Sequence, residues 1–242
     1  MKHFGLIGNP LEHSFSVRYF TDKFRNEQIN ADYRNFPMKE VSGLRELIKE
    51  ERLSGLNVTL PHKEAVLPLL DQLDPIADSI GAVNTIKVEG QSLIGINTDV
   101  IGFERTLHPD QWNSVKYAVI LGTGGASKAV RYVLEQKGIQ VAFVSRQPEK
   151  DEFSYQTVDL KKADLLVNTT PLGTYPNIHT FPPLAYELLQ QHCICIDLTY
   201  NPTTTEFMKK CAEQGAVTHN GLIMLMEQAE ASWRIWTNEV HP

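Results

Sequence analysis

Lys63 and Asp99 are the residues of this 242-residue chain whose types and surroundings best suit proton transfer. Lys63 follows Asn57-Val58-Thr59-Leu60-Pro61-His62 at the start of a helix expected over 62–70. A cation there meets the unfavourable end of the helix dipole and asks for a compensating carboxylate. Asp99, just past an expected strand at 94–96, is the candidate. An ammonium and a carboxylate serving one alcohol oxygen can move its proton while hydride leaves the same carbon. A lone lysine is usually a solvated surface residue, so the case rests on its company. Ser14, Ser16, Asn57, Thr59, Asn84, Thr85, Asn97 and Thr98 all fall at the ends of expected strands, the edge where open α/β sheets bind ligands. Ser14 and Ser16 equally suit the N-cap of the helix that follows them.

A second cluster points to a dinucleotide. Tyr117-Ala118-Val119-Ile120-Leu121-Gly122-Thr123-Gly124-Gly125-Ala126-Ser127-Lys128-Ala129-Val130 sets glycines between an expected strand and an expected helix. Gly122 permits the tight turn, Gly124 lets backbone approach a pyrophosphate, and Ala129 is small enough to seat the helix on its strand. The helix N-terminus adds free amides and positive dipole. Ser127 stands where many such loops have a third glycine. The next strand ends Phe143-Val144-Ser145-Arg146-Gln147, without the acid that an NAD enzyme presents to the ribose hydroxyls. Arg146 offers a planar fork for a 2′-phosphate and Ser145 a hydroxyl, which favours NADP.

These residues need two sheets to hold them. Apolar runs at 3–7, 32–36 and 55–60 alternate with amphipathic stretches at 16–27, 41–51 and 62–70, a βαβαβα start. Strands at 83–88 and 93–96 follow, joined by the hairpin turn Glu89-Gly90-Gln91-Ser92. The pattern restarts after a short helix near 101–107 and a polar linker at 108–114. Strands at 116–121, 140–144, 164–168, 194–198 and 216–218 then read as a parallel doubly wound sheet. The fold expected is two-domain α/β. Residues 1–100 form a mixed substrate-binding domain, joined by a C-terminal helix in 220–242 that packs back on it, and 101–219 form a Rossmann-like NADP-binding domain. In that last helix Leu222, Leu225, Met226, Ala229, Trp233 and Trp236 make a packing stripe, and Gly221, Met224 and Gln228 a second that faces a cleft.

Composition excludes several classes. An apolar fraction of 42% and a formal charge of -6 leave an ordinary folded protein with no basic stripe for nucleic acid. No run could span a bilayer and the first residues are not a signal peptide, so a cytoplasmic protein is expected. Cys193, Cys195 and Cys211 fit neither a disulfide framework nor a zinc site, so they read as structural and no metal is expected.

In order, the motifs resemble those of the shikimate dehydrogenase family. They are Ser14-x-Ser16, Asn57-Val58-Thr59-Leu60-Pro61-His62-Lys63, Gly81-Ala82-Val83-Asn84-Thr85, Asn97-Thr98-Asp99 with Gly102, Gly122-x-Gly124-Gly125-Ala126, Asn168-x-Thr170-Pro171-x-Gly173, Asp197-x-x-Tyr200-x-Pro202 and Asn220-Gly221-x-x-Met224-Leu225-x-x-Gln228-Ala229. The resemblance covers nearly the whole chain. It implies NADPH-dependent, reversible reduction of 3-dehydroshikimate to shikimate in aromatic amino acid biosynthesis, by a monomer or homodimer. It further implies that Ser14, Ser16 and Tyr200 hold the substrate carboxylate, that Asn57, Asn84, Asp99 and Gln228 bind ring hydroxyls, and that Thr59 lines the pocket. Lys63 would transfer the proton with Asp99 as its partner. Gly122, Gly124, Gly125 and Ala126 would cradle the cofactor, Ser145 and Arg146 its adenosine phosphate, Thr170 its groove, and Gly221 and Met224 its nicotinamide. The chain departs from the family where Ser145-Arg146-Gln147 stands for a frequent Asn-Arg-Thr and Thr174 for a common Met. Alternatives are a quinate/shikimate sibling that uses NAD, and a non-catalytic ligand-binding relative, against which the presence of both Lys63 and Asp99 argues.

Overall fold

A computed structural model describes residues 1–12 and 14–239; residues 240–242 of the expected C-terminal segment lie outside the described residues. The chain divides into two compact units, Met1–Thr98 with Ala229–Pro242, and Asp99–Gln228.

The first unit runs β1 (Lys2–Gly8), α1 (Phe15–Asn26), β2 (Ala31–Pro37), α2 (Leu44–Glu50), β3 (Leu53–Val58), β4 (Gln72–Leu73), α3 (Pro75–Ile80), β5 (Thr85–Glu89) and β6 (Ser92–Ile96). Its six-stranded sheet has the order β2-β1-β3-β5-β6-β4. β1 pairs in parallel with β2 and β3, whereas β5 is antiparallel to both β3 and β6, which makes the sheet mixed. The β5–β6 hairpin closes on the Glu89–Ser92 pair around Gly90, whose φ of 63° suits glycine.

Alternation along β1 sends side chains to two cores. Ile7 joins Leu44, Ile48, Leu56, Val83 and Ile86 on one face. Phe4 and Leu6 join Phe20, Phe24, Tyr33, Ala229, Trp233 and Trp236 on the other. This second core is aromatic: Phe4 stacks on Trp236 at 4.8 Å and meets Trp233 edge-on at 5.5 Å, geometries that add about 0.5–1.5 kcal/mol each beyond area burial. The expected packing of the C-terminal helix on this domain is thus observed, and Trp236 Nε1 also donates to the Ile86 carbonyl at 3.0 Å.

The second unit contains α4 (Asp99–Glu104), α5 (Pro109–Ser114), β7 (Tyr117–Leu121), α6 (Gly125–Gln136), β8 (Gln140–Val144), β9 (Leu165–Asn168), β10 (Ile194–Asp197), α7 (Glu206–Glu213), β11 (Val217–Asn220) and the first part of α8 (Leu222–Thr237). Its five strands, in the order β11-β10-β9-β7-β8, are all parallel. Chain order reverses between β7 and β9, which creates a topological switch point at their carboxyl ends. Cys193, Cys195 and Cys211 are free and buried in this unit's core.

Three local expectations are corrected. Residues 62–70 are turns with one 3-10 turn at Leu67–Leu69, not a helix. Pro68 has no N–H to bond the Glu64 carbonyl, which accepts from Leu67 instead at 3.2 Å. The dipole argument for Lys63 therefore falls away. The linker at 108–114 contains α5, opened by Pro109 and a reciprocal cap in which the Gln111 side chain accepts from the His108 amide at 3.0 Å. In α8, Leu222 and Met226 are 38% and 42% exposed, while Met224 and Gln228 are buried. Gly102 of α4 sets that face, because a Cβ there would strike the Met224 carbonyl and the Gln228 side chain.

Candidate active site

In the first unit the polar residues at the strand ends are bonded to one another. Asn57, at the end of β3, accepts from the Tyr33 hydroxyl at 2.8 Å, and its Nδ2 lies 2.9 Å from Ser232 Oγ and 3.2 Å from Thr85 Oγ1. Asn84 accepts from the Thr98 amide at 2.7 Å and donates to Thr98 Oγ1 at 3.0 Å. Ser232 Oγ also sits 2.8 Å from Thr85 Oγ1 and 3.2 Å from Thr98 Oγ1. Ser16 hydrogen-bonds Tyr33, whose phenol is pushed well above its ordinary range by burial, with the Ser16 bond pulling it back. A network of buried polar groups this fully paired holds its members in one geometry.

Backbone groups at Lys63 and at the residue before Asp99 are also held. The Val83 amide donates to the Lys63 carbonyl at 2.8 Å, and the Asn84 side chain holds the amide of Thr98, the residue before Asp99. Thr59, partly exposed, donates its amide to the Ile7 carbonyl at 2.9 Å. Ser14 occupies the N-cap position of α1 yet makes no side-chain cap bond, and its Oγ is buried without a partner among the described residues. A buried hydroxyl left unpaired costs about 1–3 kcal/mol, so the position calls for an explanation.

The second unit supplies a different kind of surface. β7 ends at Gly122, with φ of 102°, and α6 begins just after Gly124. The first-turn amides of Gly125 and Ala126 have no helix carbonyl to bond. Space beside the Gly124 Cα is open. Ser127 turns out to be structural: it is fully buried and its hydroxyl donates to the Gly124 carbonyl at 2.5 Å. At the end of neighbouring β8, Ser145 Oγ is buried without a partner among the described residues, and Arg146 is exposed. Near β8 lies a cavity of about 440 Å³ in which Lys128, Arg131 and Lys150 are matched by Glu135, Asp151 and Glu152. Open amides, the buried Ser145 hydroxyl and the exposed Arg146 fit a dinucleotide bearing an extra phosphate.

The loops after β9 and β10 carry Thr170 and Tyr200. Thr170 bonds Asn168 Oδ1 through its amide at 3.1 Å and its hydroxyl at 2.6 Å. Tyr200 is partly buried. Asp197 is fully buried, and burial pushes its carboxyl up while bonds from Thr205, Thr199 and Asn168 pull it back. Gln228 donates to the Leu225 carbonyl at 2.9 Å, and Gly221 donates to the Thr199 carbonyl at 3.0 Å. Tyr33, Ser232, Arg131 and Lys150 stood in none of the motifs, whereas Asp197 and Lys128 stood in motifs without a role of their own. Only Lys150, four residues beyond Arg146, carried a sequence signal that could have found it.

The pattern of the shikimate dehydrogenase substrate binding domain matches residues 6–86. Shikimate dehydrogenase (NADP(+)) of Methanococcus maripaludis strain C6 is 36% identical over 98% of this chain and 92% of its own length. The chain belongs to the shikimate dehydrogenase family. Among solved structures of that family, the enzyme from Aquifex aeolicus superposes with a TM-score of 0.90 at 32% identity, covering 100% of this chain and 94% of the other. The Thermus thermophilus enzyme in complex with NADP(H) and shikimate gives 0.87 at 32% identity, covering 98% and 94%. Among the described residues no helix is long and apolar enough to cross a membrane.

Proposed function

We propose that this chain catalyses the reversible NADPH-dependent reduction of 3-dehydroshikimate to shikimate, as a cytoplasmic monomer or homodimer. The observation that carries the reading is the pair of anchors on Val83 and Asn84. One fixes the backbone of Lys63 and the other the residue preceding Asp99. Lys63 gives its proton to the oxygen of the carbonyl as that group becomes an alcohol, and takes it back in the reverse direction. Asp99 balances the ammonium charge and accepts from a ring hydroxyl.

Ser14, with its orphaned hydroxyl, acts with Ser16 and Tyr200 on the substrate carboxylate. Asn57, Asn84 and Gln228 bind ring hydroxyls and Thr59 lines the pocket. The residues proposed for the cofactor are Gly122, Gly124, Gly125 and Ala126 for its pyrophosphate, Ser145 and Arg146 for its adenosine phosphate, Thr170 for the groove, and Gly221 and Met224 for the nicotinamide. Bound NADPH supplies the hydride. The test is direct: shikimate and NADP+ are added to the purified protein and the absorbance of NADPH is followed. A rise dependent on both supports the reading, and none at all removes it. Rates with quinate and with NAD+ then separate this activity from the broader sibling activity.

A further inference from the structure

Asp197 is a buried carboxylate to which the reading above gives no part. Its Oδ1 accepts from the Thr199 amide at 3.0 Å and from Asn168 Nδ2 at 3.1 Å, and its Oδ2 accepts from the Thr205 hydroxyl at 2.6 Å. All three groups donate to it, so the ionised, acceptor-only form of the side chain matches the pattern. Asn168, held through its Nδ2, in turn presents Oδ1 to the amide and hydroxyl of Thr170. Thr199, held through its amide, lies next to Tyr200 and hydrogen-bonds Thr174 at 2.9 Å. One carboxylate therefore anchors both the loop after β9 and the loop after β10.

We propose that Asp197 is a positioning residue that sets Thr170, on the cofactor side, in register with Tyr200, on the substrate side. The inference rests on the proposed roles of those two residues. Burying a carboxylate is expensive, and an apolar residue would fill the space more cheaply. What an apolar residue lacks is the capacity to accept from two loops and a helix cap at once. Thr205 is that cap: its Oγ1 accepts from the Met208 amide at 3.2 Å.

The test compares Asp197→Ala, Asp197→Asn and Asn168→Ala by steady-state kinetics and by calorimetric titration with NADP+ alone. Asp197→Ala frees both loops and raises KM for shikimate and for NADP+ by about tenfold each, as expected for loss of bonds to a charged group. Asp197→Asn keeps an acceptor toward Thr199 and Asn168 and can donate to Thr205 Oγ1, so both KM values stay within about threefold of the parent. Asn168→Ala severs only the branch to Thr170 and weakens NADP+ binding while KM for shikimate holds. Should Asp197→Ala fail to fold, the contrast between Asp197→Asn and Asn168→Ala still decides. The proposal is overturned if Asn168→Ala shifts both ligands equally, if Asp197→Asn is as impaired as Asp197→Ala, or if the variants lose thermal stability with every KM unchanged. Titration with NADP+ alone reads the cofactor branch even if the parent fails to oxidise shikimate. The register and the assigned reaction can therefore fail separately.

Discussion

The strand ends of the first unit and the glycine turn of the second are built from different materials. The first is a lattice of side chains, Tyr33, Asn57, Thr85, Asn84, Thr98 and Ser232, each already hydrogen-bonded to another. The second is mainly backbone: open amides at the start of α6, a left-handed Gly122 and one orphaned hydroxyl on Ser145. The difference suits the two ligands. A ring with several hydroxyls is discriminated by side chains locked at fixed spacings, whereas a pyrophosphate needs only amides, a dipole and room. Function on the first side should therefore depend on which side chains are present, and on the second side on backbone shape.

The largest expected effect tests the chemistry that the lattice surrounds. Lys63→Ala should lower kcat by about 10² to 10⁴ while KM changes little, as loss of a general acid/base does; unchanged turnover would remove the mechanism. On the backbone side, Gly122→Val should weaken NADP+ binding by about tenfold or more, since strain at such a φ costs about 1–3 kcal/mol. A Cβ there would also lie 2.8 Å from Thr169 Oγ1. Retained affinity in a binding titration would show that turn shape does not matter.

Arg146→Ala should raise KM for NADPH by about tenfold, the scale of a charge-assisted hydrogen bond, and narrow the preference over NADH; an unmoved KM would refute the phosphate assignment. Tyr33→Phe removes the hydroxyl shared by Asn57 and Ser16. It should cost about 1 kcal/mol in denaturant unfolding and raise KM for shikimate a few-fold, leaving KM for NADP+ alone. If both KM values moved together, the lattice would not be specific to one ligand.

The smallest effect is one of pH. Burial lowers the pKa of His219 from its ordinary 6.5, and Gln111 Nε2 lies 3.2 Å from its Nε2. The folded state then binds fewer protons than the unfolded one, so stability is complete above the ordinary value and falls as pH drops through it toward the lowered one. His219→Gln should flatten thermal stability across that window, and an unchanged slope would exclude the histidine as its source.

Much of this was legible because local and global signals agreed. β8 spans 140–144 as its apolar run predicts, and the β5–β6 hairpin turns at Gly90 as expected. Ser14 and Ser145 stood out because they sit at element ends, where sequence position and ligand edge coincide. The parts that escaped depend on distant partners. β4 is two residues long and is a strand only because β6 pairs with it. Tyr33 meets Asn57 across 24 residues, Asp197 meets Asn168 across 29, and Ser232 meets Asn57 across 175. Tyr33 and Ser232 read locally as ordinary strand or helix residues, and the motifs that hold Asn57, Asn168 and Asp197 do not announce which partners they meet. α3 was missed although Asp74-Pro75 is a legible start, with Asp74 accepting from the Ala77 amide at 2.7 Å.

The aromatic core of the first unit is completed by Ala229, Trp233 and Trp236, which follow the whole of the second unit in the chain. During synthesis from the N-terminus, the half that begins first must wait with Phe4, Phe20 and Tyr33 uncovered until the other half has been made. The Asp99–Gln228 unit needs nothing later than itself. The order of birth and the order of closure are therefore opposite, and a released chain ending before residue 229 would lack the residues that cover the aromatic face.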